Sequence, residues 1–307
     1  MAATAAGYQS GEVKIEVAGE DIKVVELRLE ARAAQPSPRY SCAENQIPIP
    51  GGTFLMGDKY LDNNSKPVHK VTLSPYCIDK TEVTVAAYRI CLQSGGCPPP
   101  RPMVDWKGID LEDKVKWSQF CTWGKSGLDQ HPINCVDWNQ ASTYCEWAGG
   151  RLPTEAEWEF AARGTDDRNY PWGNEAPDAT KLNACGVECA AMGRQRLGMT
   201  WISMYADDDG WPATAPVGNY PRGASPFGVL DMAGNVWEWT ADNDAPYGGG
   251  AVTNPRRSGS SRLSHVLRGG SWGKHDLASI RTAFRSWEDS GRRGSDLGFR
   301  CAYAASE

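Results

Sequence analysis

The chain has 307 residues, 40% of them hydrophobic and 23% charged, which is typical of a folded protein with a buried core. A formal net charge of -6 argues against nucleic acid or an anionic membrane surface as a partner. No stretch reaches the roughly 20 apolar residues needed to span a bilayer, and the first residues lack the pattern of a signal peptide. The 33 Gly, 20 Pro and 13 Trp residues favour many loops pinned by aromatic side chains over long helices.

The N-terminal region differs in character from the rest of the chain. Residues 11–30 alternate apolar and charged side chains on both sides of a Gly-Glu-Asp turn, which predicts a β-hairpin or a loosely attached arm. The Pro-containing stretch that follows is typical of a linker. We therefore expect an arm and linker over residues 1–41 and one larger domain over residues 42–307.

Three segments of the larger domain have helical patterns with recognisable ends. The third has a Thr followed three residues later by a Glu, which is the pattern of a capping box. After residue 164 the sequence predicts mostly loops and short strands. The expected helix starts are Thr81, Asp137 or Trp138, and Thr154 with Glu157; the expected ends are the pairs Gly95-Gly96 and Gly149-Gly150.

The ten cysteines form an even set in Gly- and Pro-rich surroundings, without paired CxxC motifs or nearby histidines. A zinc site would need four thiolate or imidazole ligands at short spacing, so we interpret the cysteines as disulfides. Free cysteines in a cytosolic protein are the alternative. Disulfides predict an extracytoplasmic protein, whether periplasmic, surface-attached or secreted, with its export signal absent from this sequence.

From residue 47 onward the chain resembles the formylglycine-generating enzyme (sulfatase-modifying factor) superfamily, motif by motif and in the same order. One such motif would be only a hypothesis, but an ordered series over most of the chain is specific. The motifs are IPIPGGTFLMGD (47–58), PVHKVTLSPYCIDKTEVTVAAY (67–88), HPINCVDWNQASTYCEWAGGRLPTEAEWEFAARG (131–164), YPWGNE (170–175), GVLDMAGNVWEWTAD (228–242), LRGGSW (267–272) and LGFRC (297–301).

This resemblance implies an α+β fold of the modified C-type-lectin-like kind, loop-rich and with little regular secondary structure. The Gly, Pro and Trp counts favour the same texture independently. Because this fold hosts oxidases, other modifying enzymes and binding domains, the fold alone does not define the function.

The resemblance also implies two structural calcium ions. Calcium takes six to eight oxygen ligands and mixes carboxylates, amides and backbone carbonyls. Asp231 replaces the amide of the family, and its added charge should tighten binding. The first site would use the Asn183 side chain, the Ala184 carbonyl, the Asp209 carboxylate and the Trp211 carbonyl; the second would use Asp231, the carbonyls of Gly234 and Val236, and the Glu238 carboxylate.

Among the cysteines, the resemblance pairs Cys145 with Cys301, which would join the long helix to the last strand. The other conserved bridge of the family falls on Ala162 and Phe284, so it is absent here. Proximity then pairs the remaining cysteines as Cys91–Cys97, Cys121–Cys135, Cys185–Cys189 and Cys42–Cys77.

Formylglycine generation needs two pocket cysteines that bind copper(I), and they follow the GGS motif in the family. Lys274 and Ser279 stand at those positions here. An ammonium group cannot ligate copper(I), and a hydroxyl is a hard, weak ligand for it. We therefore expect no copper and no copper-dependent oxidation.

Other chemistry has little support in the sequence. A nonheme iron centre needs two His and a carboxylate, or three His, facing one open position, and the chain has four histidines in all. His275 beside Asp276 is the one pair of catalytic character, with Ser279 as a conceivable nucleophile. Adjacent strand residues point to opposite faces, however, so these three are weak candidates.

The region after the GGS motif mixes aromatic and cationic side chains, which suits recognition of peptides, sugars or anionic groups. An ordinary amphipathic surface, with its arginines paired to acidic residues, is the alternative. The expected pocket residues are Trp272, Lys274, His275, Ser279, Arg281, Arg285 and Trp287.

Three functions follow from this interpretation. The first is a monomeric, exported binding or accessory module that takes a protein, peptide or small polar ligand. The second is an enzyme of the superfamily, sulfatase-modifying or of the nonheme iron type, with different catalytic residues. The third is a diversified binding protein of a retroelement, although the variable stretch is not rich in Asn.

Overall fold

The computed structural model describes residues 2–3, 11–12, 41–258 and 264–305. The chain forms two compact units, Met1–Arg39 and Tyr40–Glu307. The first contains one short antiparallel pair of strands, β1 (Ala2–Ala3) and β2 (Gly11–Glu12). The predicted hairpin over residues 11–30 lies almost wholly outside the described residues.

The second unit has three small sheets among its described residues. Its strands are β3 (Gln46–Ile49), β4 (Gly52–Met56), β5 (His69–Leu73), β6 (Tyr76–Asp79), β7 (Trp237–Asn243), β8 (Val252–Thr253), β9 (Ser264–Arg268), β10 (Ser286–Asp289), β11 (Leu297–Gly298) and β12 (Ala302–Ala304). One sheet has the order β10-β9-β7-β11, the next β12-β6-β3, and the third β4-β5-β8. Among these described strands, the pairs β7–β11 and β5–β8 are parallel and the others are antiparallel.

Short helices pack around these sheets, and none among the described residues is long and apolar enough to cross a membrane. Long connecting segments separate them, so the α+β, loop-rich fold class expected from the sequence is confirmed. The helices are α1 (Val85–Gln93), α2 (Leu111–Ser118), α3 (Trp138–Trp147), α4 (Glu155–Arg163) and α5 (Val187–Met192), with a π-helical turn over Gly193–Leu197.

The predicted starts of α3 and α4 are correct, and that of α1 is wrong. Asp137 and Thr154 each cap their helix through a capping box. Thr84, not Thr81, caps α1 and accepts a hydrogen bond from the Ala87 N–H at 3.1 Å. The chain before Thr84 is held extended against residues 132–133 by a β-bridge and a backbone hydrogen bond, so the helix cannot begin earlier.

Two helices were not predicted. The first, α2, begins at Asp110, whose side chain accepts from the Asp113 N–H at 2.8 Å. The second, α5, follows Gly186, which offers no capping side chain. The sequence carried a signal for α2, an Asp cap followed by acidic residues in the first turn; it carried none for α5.

The core is built from aromatic side chains on both sides of β7. Tyr88 of α1 stacks on Tyr144 of α3 with ring centroids 5.6 Å apart. Trp158 of α4 is fully buried, and its Nε1 donates to Glu238 Oε2 of β7 at 2.8 Å. This bond ties α4 to the central sheet and brings a charged strand residue into the interior.

All ten cysteines are in disulfides, so the prediction of a cross-linked domain is confirmed. The longest connection, Cys145–Cys301, spans 156 residues and joins α3 to the segment before β12. Such cross-linking is typical of proteins that fold in oxidising compartments. The other bridges are Cys42–Cys77, Cys91–Cys97, Cys121–Cys135 and Cys185–Cys189.

Candidate functional site: a tryptophan-lined cavity

A cavity of about 280 Å³ opens beside the GGS motif. It brings together three of the predicted pocket residues, Trp272, Lys274 and His275, with side chains from distant parts of the chain. Its complete lining is Trp106, Trp117, Trp201, Ser271, Trp272, Gly273, Lys274, His275, Arg292, Ser295 and Asp296.

The walls of the cavity are indole rings. Trp117 of α2 stacks on Trp201 with centroids 6.1 Å apart and planes 19° apart. Trp201 lies 6.3 Å from Trp272, and the guanidinium of Arg292 covers Trp106 at 4.7 Å. Three of these four tryptophans were not predicted, because they lie far from the GGS motif in sequence. The high Trp count was the only signal for them.

Two charged groups in the lining have no ion pair among the described residues. The Lys274 ammonium lies 5.6 Å from the ring centroid of Trp237 and makes no salt bridge there. The Asp296 carboxylate likewise has no described salt bridge or side-chain hydrogen bond, whereas Arg292 is paired with Glu288 at 3.3 Å. The cavity therefore offers apolar walls with one unpaired cation and one unpaired anion.

The Cys185–Cys189 disulfide supports the cavity wall from behind. The Cys185 N–H donates to the Lys274 carbonyl at 2.9 Å. Both cysteines are fully buried and pack in the same hydrophobic cluster as Trp272. The backbone that carries Trp272 and Lys274 therefore packs against, and is hydrogen-bonded to, a segment that carries its own disulfide.

The positions of the copper ligands offer no thiolate. Lys274 lines the cavity, whereas Ser279 is buried and does not line it. All cysteines of the chain are in disulfides. The Ser279 N–H donates to Asp276 Oδ1 at 2.8 Å, so Asp276 caps a local turn. No described hydrogen bond joins Asp276 to His275, and both are exposed. The structure thus does not assemble the weak catalytic candidates into a dyad.

The other predicted pocket residues lie elsewhere. Arg281 lines a separate cleft and donates to Asp58 Oδ2 at 2.6 Å. Arg285 is buried and pairs with Glu155 at 2.8 Å. Burial alone would raise the pKa of Glu155, but the positive charges of Arg285 and two further arginines lower it to about 2. Trp287 is 45% exposed on β10 and lines none of the described cavities. These residues are close to Lys274 in sequence, but β10 and the segment that leads into it carry them away from the cavity.

At the first predicted calcium position, the Asn183 and Asp209 side chains are buried. The Asn183 Oδ1 atom has no hydrogen-bond partner among the described residues. Asp209 Oδ2 accepts from the Tyr205 hydroxyl at 2.6 Å and from the Ala184 N–H at 3.3 Å. Burial raises the pKa of Asp209 to about 7. An unsatisfied amide oxygen beside a poorly solvated carboxylate fits an oxygen-ligated cation.

At the second predicted site, Asp231 and Glu238 have different environments. Asp231 Oδ2 accepts one hydrogen bond, from the Gly218 N–H at 2.6 Å. Glu238 accepts from Trp158 and twice from Arg300, which occupies three of its roughly four acceptor positions. Asp231 is therefore the more available carboxylate.

Two glutamates near these sites were not predicted. Glu188 Oε1 and both carboxylate oxygens of Glu82 are buried without a hydrogen-bond partner among the described residues. Glu188 Oε2 contacts the N–H of Asp209 at 3.4 Å, and Glu82 is near Asp231. No group of three or more His, Cys, Asp or Glu side chains positioned for a metal occurs in the described part of the chain. Carbonyl and amide oxygens would have to complete either site.

Comparison with known proteins identifies the class of protein to which this fold belongs. Residues 30–305 match the family model of the sulfatase-modifying factor enzyme 1-like domain. This protein belongs to that family.

Its relatives include an enzyme and a protein named as inactive. The chain is 33% identical over 315 residues to the formylglycine-generating enzyme of Streptomyces coelicolor, covering 89% of this chain and 94% of that one. It is 30% identical to the inactive C-alpha-formylglycine-generating enzyme 2 of Mus musculus, covering 87% and 90%. The solved structure of PvdO from Pseudomonas aeruginosa superposes with a TM-score of 0.59 at 26% identity, covering 84% and 94%.

Proposed function

We propose that this protein is an exported, calcium-stabilised binding module that takes its ligand in the tryptophan-lined cavity, and that it is not a copper-dependent cysteine oxidase. The observation that carries the proposal is the chemistry at the copper positions. Lys274 and Ser279 replace the two thiolates, and every cysteine of the chain is in a disulfide. No thiolate is left to bind copper(I) at these positions.

The lining of the cavity supports binding of a peptide or a small polar molecule. Indole rings offer a large, rigid contact area with a polar edge, and they dominate the binding energy at many interfaces. The unpaired Lys274 and Asp296 can hold a charged group at the end of an apolar ligand. A pocket of about 280 Å³ accommodates one side chain or one compact molecule rather than a folded surface.

Calcium is part of the same proposal. The loop-rich unit has short strands, and an ion that binds only the folded state stabilises it by an amount that grows with the logarithm of the ratio of ion concentration to Kd. Asn183 and Asp209 at the first site, with Asp231 at the second, have the buried oxygen atoms that calcium prefers. The family's own structural ions supply the precedent.

The copper part is tested on the purified full chain. We expect no stoichiometric copper(I) after loading and no oxygen-dependent loss of thiol from a cysteine peptide of sulfatase origin. The control is Lys274→Cys/Ser279→Cys, which restores the two thiols on the same backbone. Stoichiometric copper and peptide oxidation by the unaltered protein would overturn the proposal.

The binding part is tested by selecting random displayed peptides on the immobilised protein. Binding of the enriched peptides should fall at least about tenfold in Trp201→Ala and remain in Trp287→Ala, an exposed indole outside the cavity. Equal loss in both variants, or in neither, would place the binding surface elsewhere.

The second candidate is an enzyme with other catalytic residues, favoured by the 33% identity to an enzyme of the family. Metal analysis separates it from the first. Stoichiometric iron, lost on His275→Ala, would favour the enzyme, whereas calcium alone would favour the binding module.

A further inference from the structure

Four buried carboxyl groups surround one buried guanidinium near the start of β7. Asp79, Glu82, Asp231 and Glu238 are exposed by 7%, 2%, 8% and 0%, and Arg300 by 0%. Each of the four acts electrostatically on Arg300 or is acted on by it. If all are ionised, the cluster carries an excess of three negative charges in a region that excludes water. Such an imbalance is costly unless protons or a cation offset it.

Arg300 itself cannot satisfy all of them. Its Nε and Nη2 donate to the two oxygens of Glu238 at 2.7 Å each. Its remaining described hydrogen bonds go to the carbonyls of Asp79 and Leu230. Arg300 is therefore committed to Glu238 and to the backbone, and it makes no hydrogen bond with Glu82 or Asp231.

Glu82 is the member that points to a ligand. It is almost wholly buried, yet neither of its carboxylate oxygens has a hydrogen-bond donor among the described residues. The segments that carry Glu82 and Asp231 are joined by a hydrogen bond from the Leu230 N–H to the Lys80 carbonyl at 2.8 Å. The two carboxyl groups interact electrostatically, and the one described backbone donor to the Asp231 carboxylate is the Gly218 N–H. Two carboxylates cannot bond to each other without a proton or a cation between them.

Backbone conformation fixes Asp231 at this place. Asp231 has a φ of +57°, in the left-handed region that a non-glycine residue rarely adopts. The residue is buried, with an exposed fraction of 8%, and its carboxyl group interacts with that of Glu82. Backbone strain of this kind persists where the surrounding structure or a ligand enforces it.

We propose that Glu82 and Asp231 together bind one calcium ion, with Glu82 supplying the carboxylate that the family resemblance would assign to Glu238, because Glu238 is bonded to Arg300 instead. Calcium rather than magnesium fits, because irregular loops with carboxylate and carbonyl oxygens suit its flexible coordination. This inference rests on the calcium part of the proposed function and specifies one of its two sites.

The test is calcium binding by the chelator-treated full chain, with its disulfides intact, measured by equilibrium dialysis and calorimetry. The unaltered protein should bind two ions. Glu82→Gln should retain one and weaken the other by about 100-fold, because a charged ligand becomes a neutral one. Glu44→Gln, the same change at an exposed position, should retain both. Asp209→Asn should lose the other ion and so identify the first site.

Melting temperatures give a second test, because a Glu82 that only stabilised the fold would lower the melting temperature on substitution with or without calcium. In chelator, Glu82→Gln should melt at or above the unaltered protein, because it removes a buried unpaired charge. When calcium is added, the melting temperature of Glu82→Gln should rise by less than that of the unaltered protein. Full binding of both ions by Glu82→Gln, or a lower melting temperature in chelator, overturns this inference and leaves the calcium proposal standing. No calcium binding by the unaltered protein overturns both.

Discussion

Arg300 and Glu238 form a two-pronged ion pair with no solvent exposure, Nε to Oε2 and Nη2 to Oε1, each at 2.7 Å. The strand β7 and the segment before β12 meet through it, 62 residues apart. The geometry matches the fork of a guanidinium to the two oxygens of a carboxylate.

Breaking this pair should be strongly destabilising. Arg300→Met leaves Glu238 and its acidic neighbours buried without their one cation, so we expect a loss of about 3–5 kcal/mol of unfolding free energy. The control is Arg89→Met at the pair Arg89–Asp129, which has the same 2.7 Å distance but side chains exposed by 38% and 53%. That change should cost less than about 1 kcal/mol. Urea denaturation of both variants in excess calcium measures the difference, and equal losses would contradict it.

The long disulfide should matter more than a short one. Removing Cys145–Cys301 frees a loop of 156 residues in the unfolded chain, against 6 for Cys91–Cys97. Loop entropy predicts that Cys145→Ala/Cys301→Ala costs about 3 kcal/mol more than Cys91→Ala/Cys97→Ala. All four cysteines are buried, so the packing losses are similar. Melting temperatures of the two double variants check the order, and a larger loss for the short loop would refute the entropic account.

Stability should fall with acid through His265. Its ring stacks on Trp138 at 4.0 Å, and burial lowers its pKa to about 4 from 6.5. The unfolded state therefore binds the proton first: the contribution is complete above pH 6.5 and is lost as the pH falls toward 4. His265→Phe keeps a ring in the stack and should flatten the dependence of unfolding free energy on pH in this window.

The control for that pH dependence is His275→Gln, which removes an exposed imidazole. This change should leave the slope of unfolding free energy against pH, between pH 4 and 6.5, the same as in the unaltered protein. If His265→Phe retains the full slope, other groups account for the acid sensitivity.

The N-cap of α4 can be tested with a conservative pair of variants. The Thr154 hydroxyl accepts from the Glu157 N–H at 3.2 Å, and the Thr154 N–H donates to Glu157 Oε2 at 2.8 Å. Thr154→Ala should cost about 1 kcal/mol, whereas Thr154→Ser should retain most of the stability. Equal losses in denaturant unfolding would assign the effect to the methyl group instead.

The sequence was sufficient for the family, the fold class and the caps of α3 and α4, because each depends on local or ordered patterns. It was insufficient where distant segments meet. Trp106, Trp117 and Trp201 reach the cavity only through the packing of loops and of α2. Arg281 and Arg285 were grouped with Lys274 by proximity in sequence, yet their partners Asp58 and Glu155 lie more than a hundred residues away. The segment around Glu82 predicted a helix start and matched a family motif, and neither pattern indicated that Glu82 is a buried carboxylate without a donor.

The Cys145–Cys301 bridge also decides what a protease can achieve. Any single cut between residues 146 and 300 leaves two pieces that are still covalently joined. Trp106 and Trp117 lie on one piece, and Trp272 and Lys274 lie on the other whenever the cut falls before residue 272. On a gel without reductant, the cleaved molecule would therefore migrate as one covalent species. Both sides of the cavity would stay linked, and release of one piece would require reduction as well as cleavage.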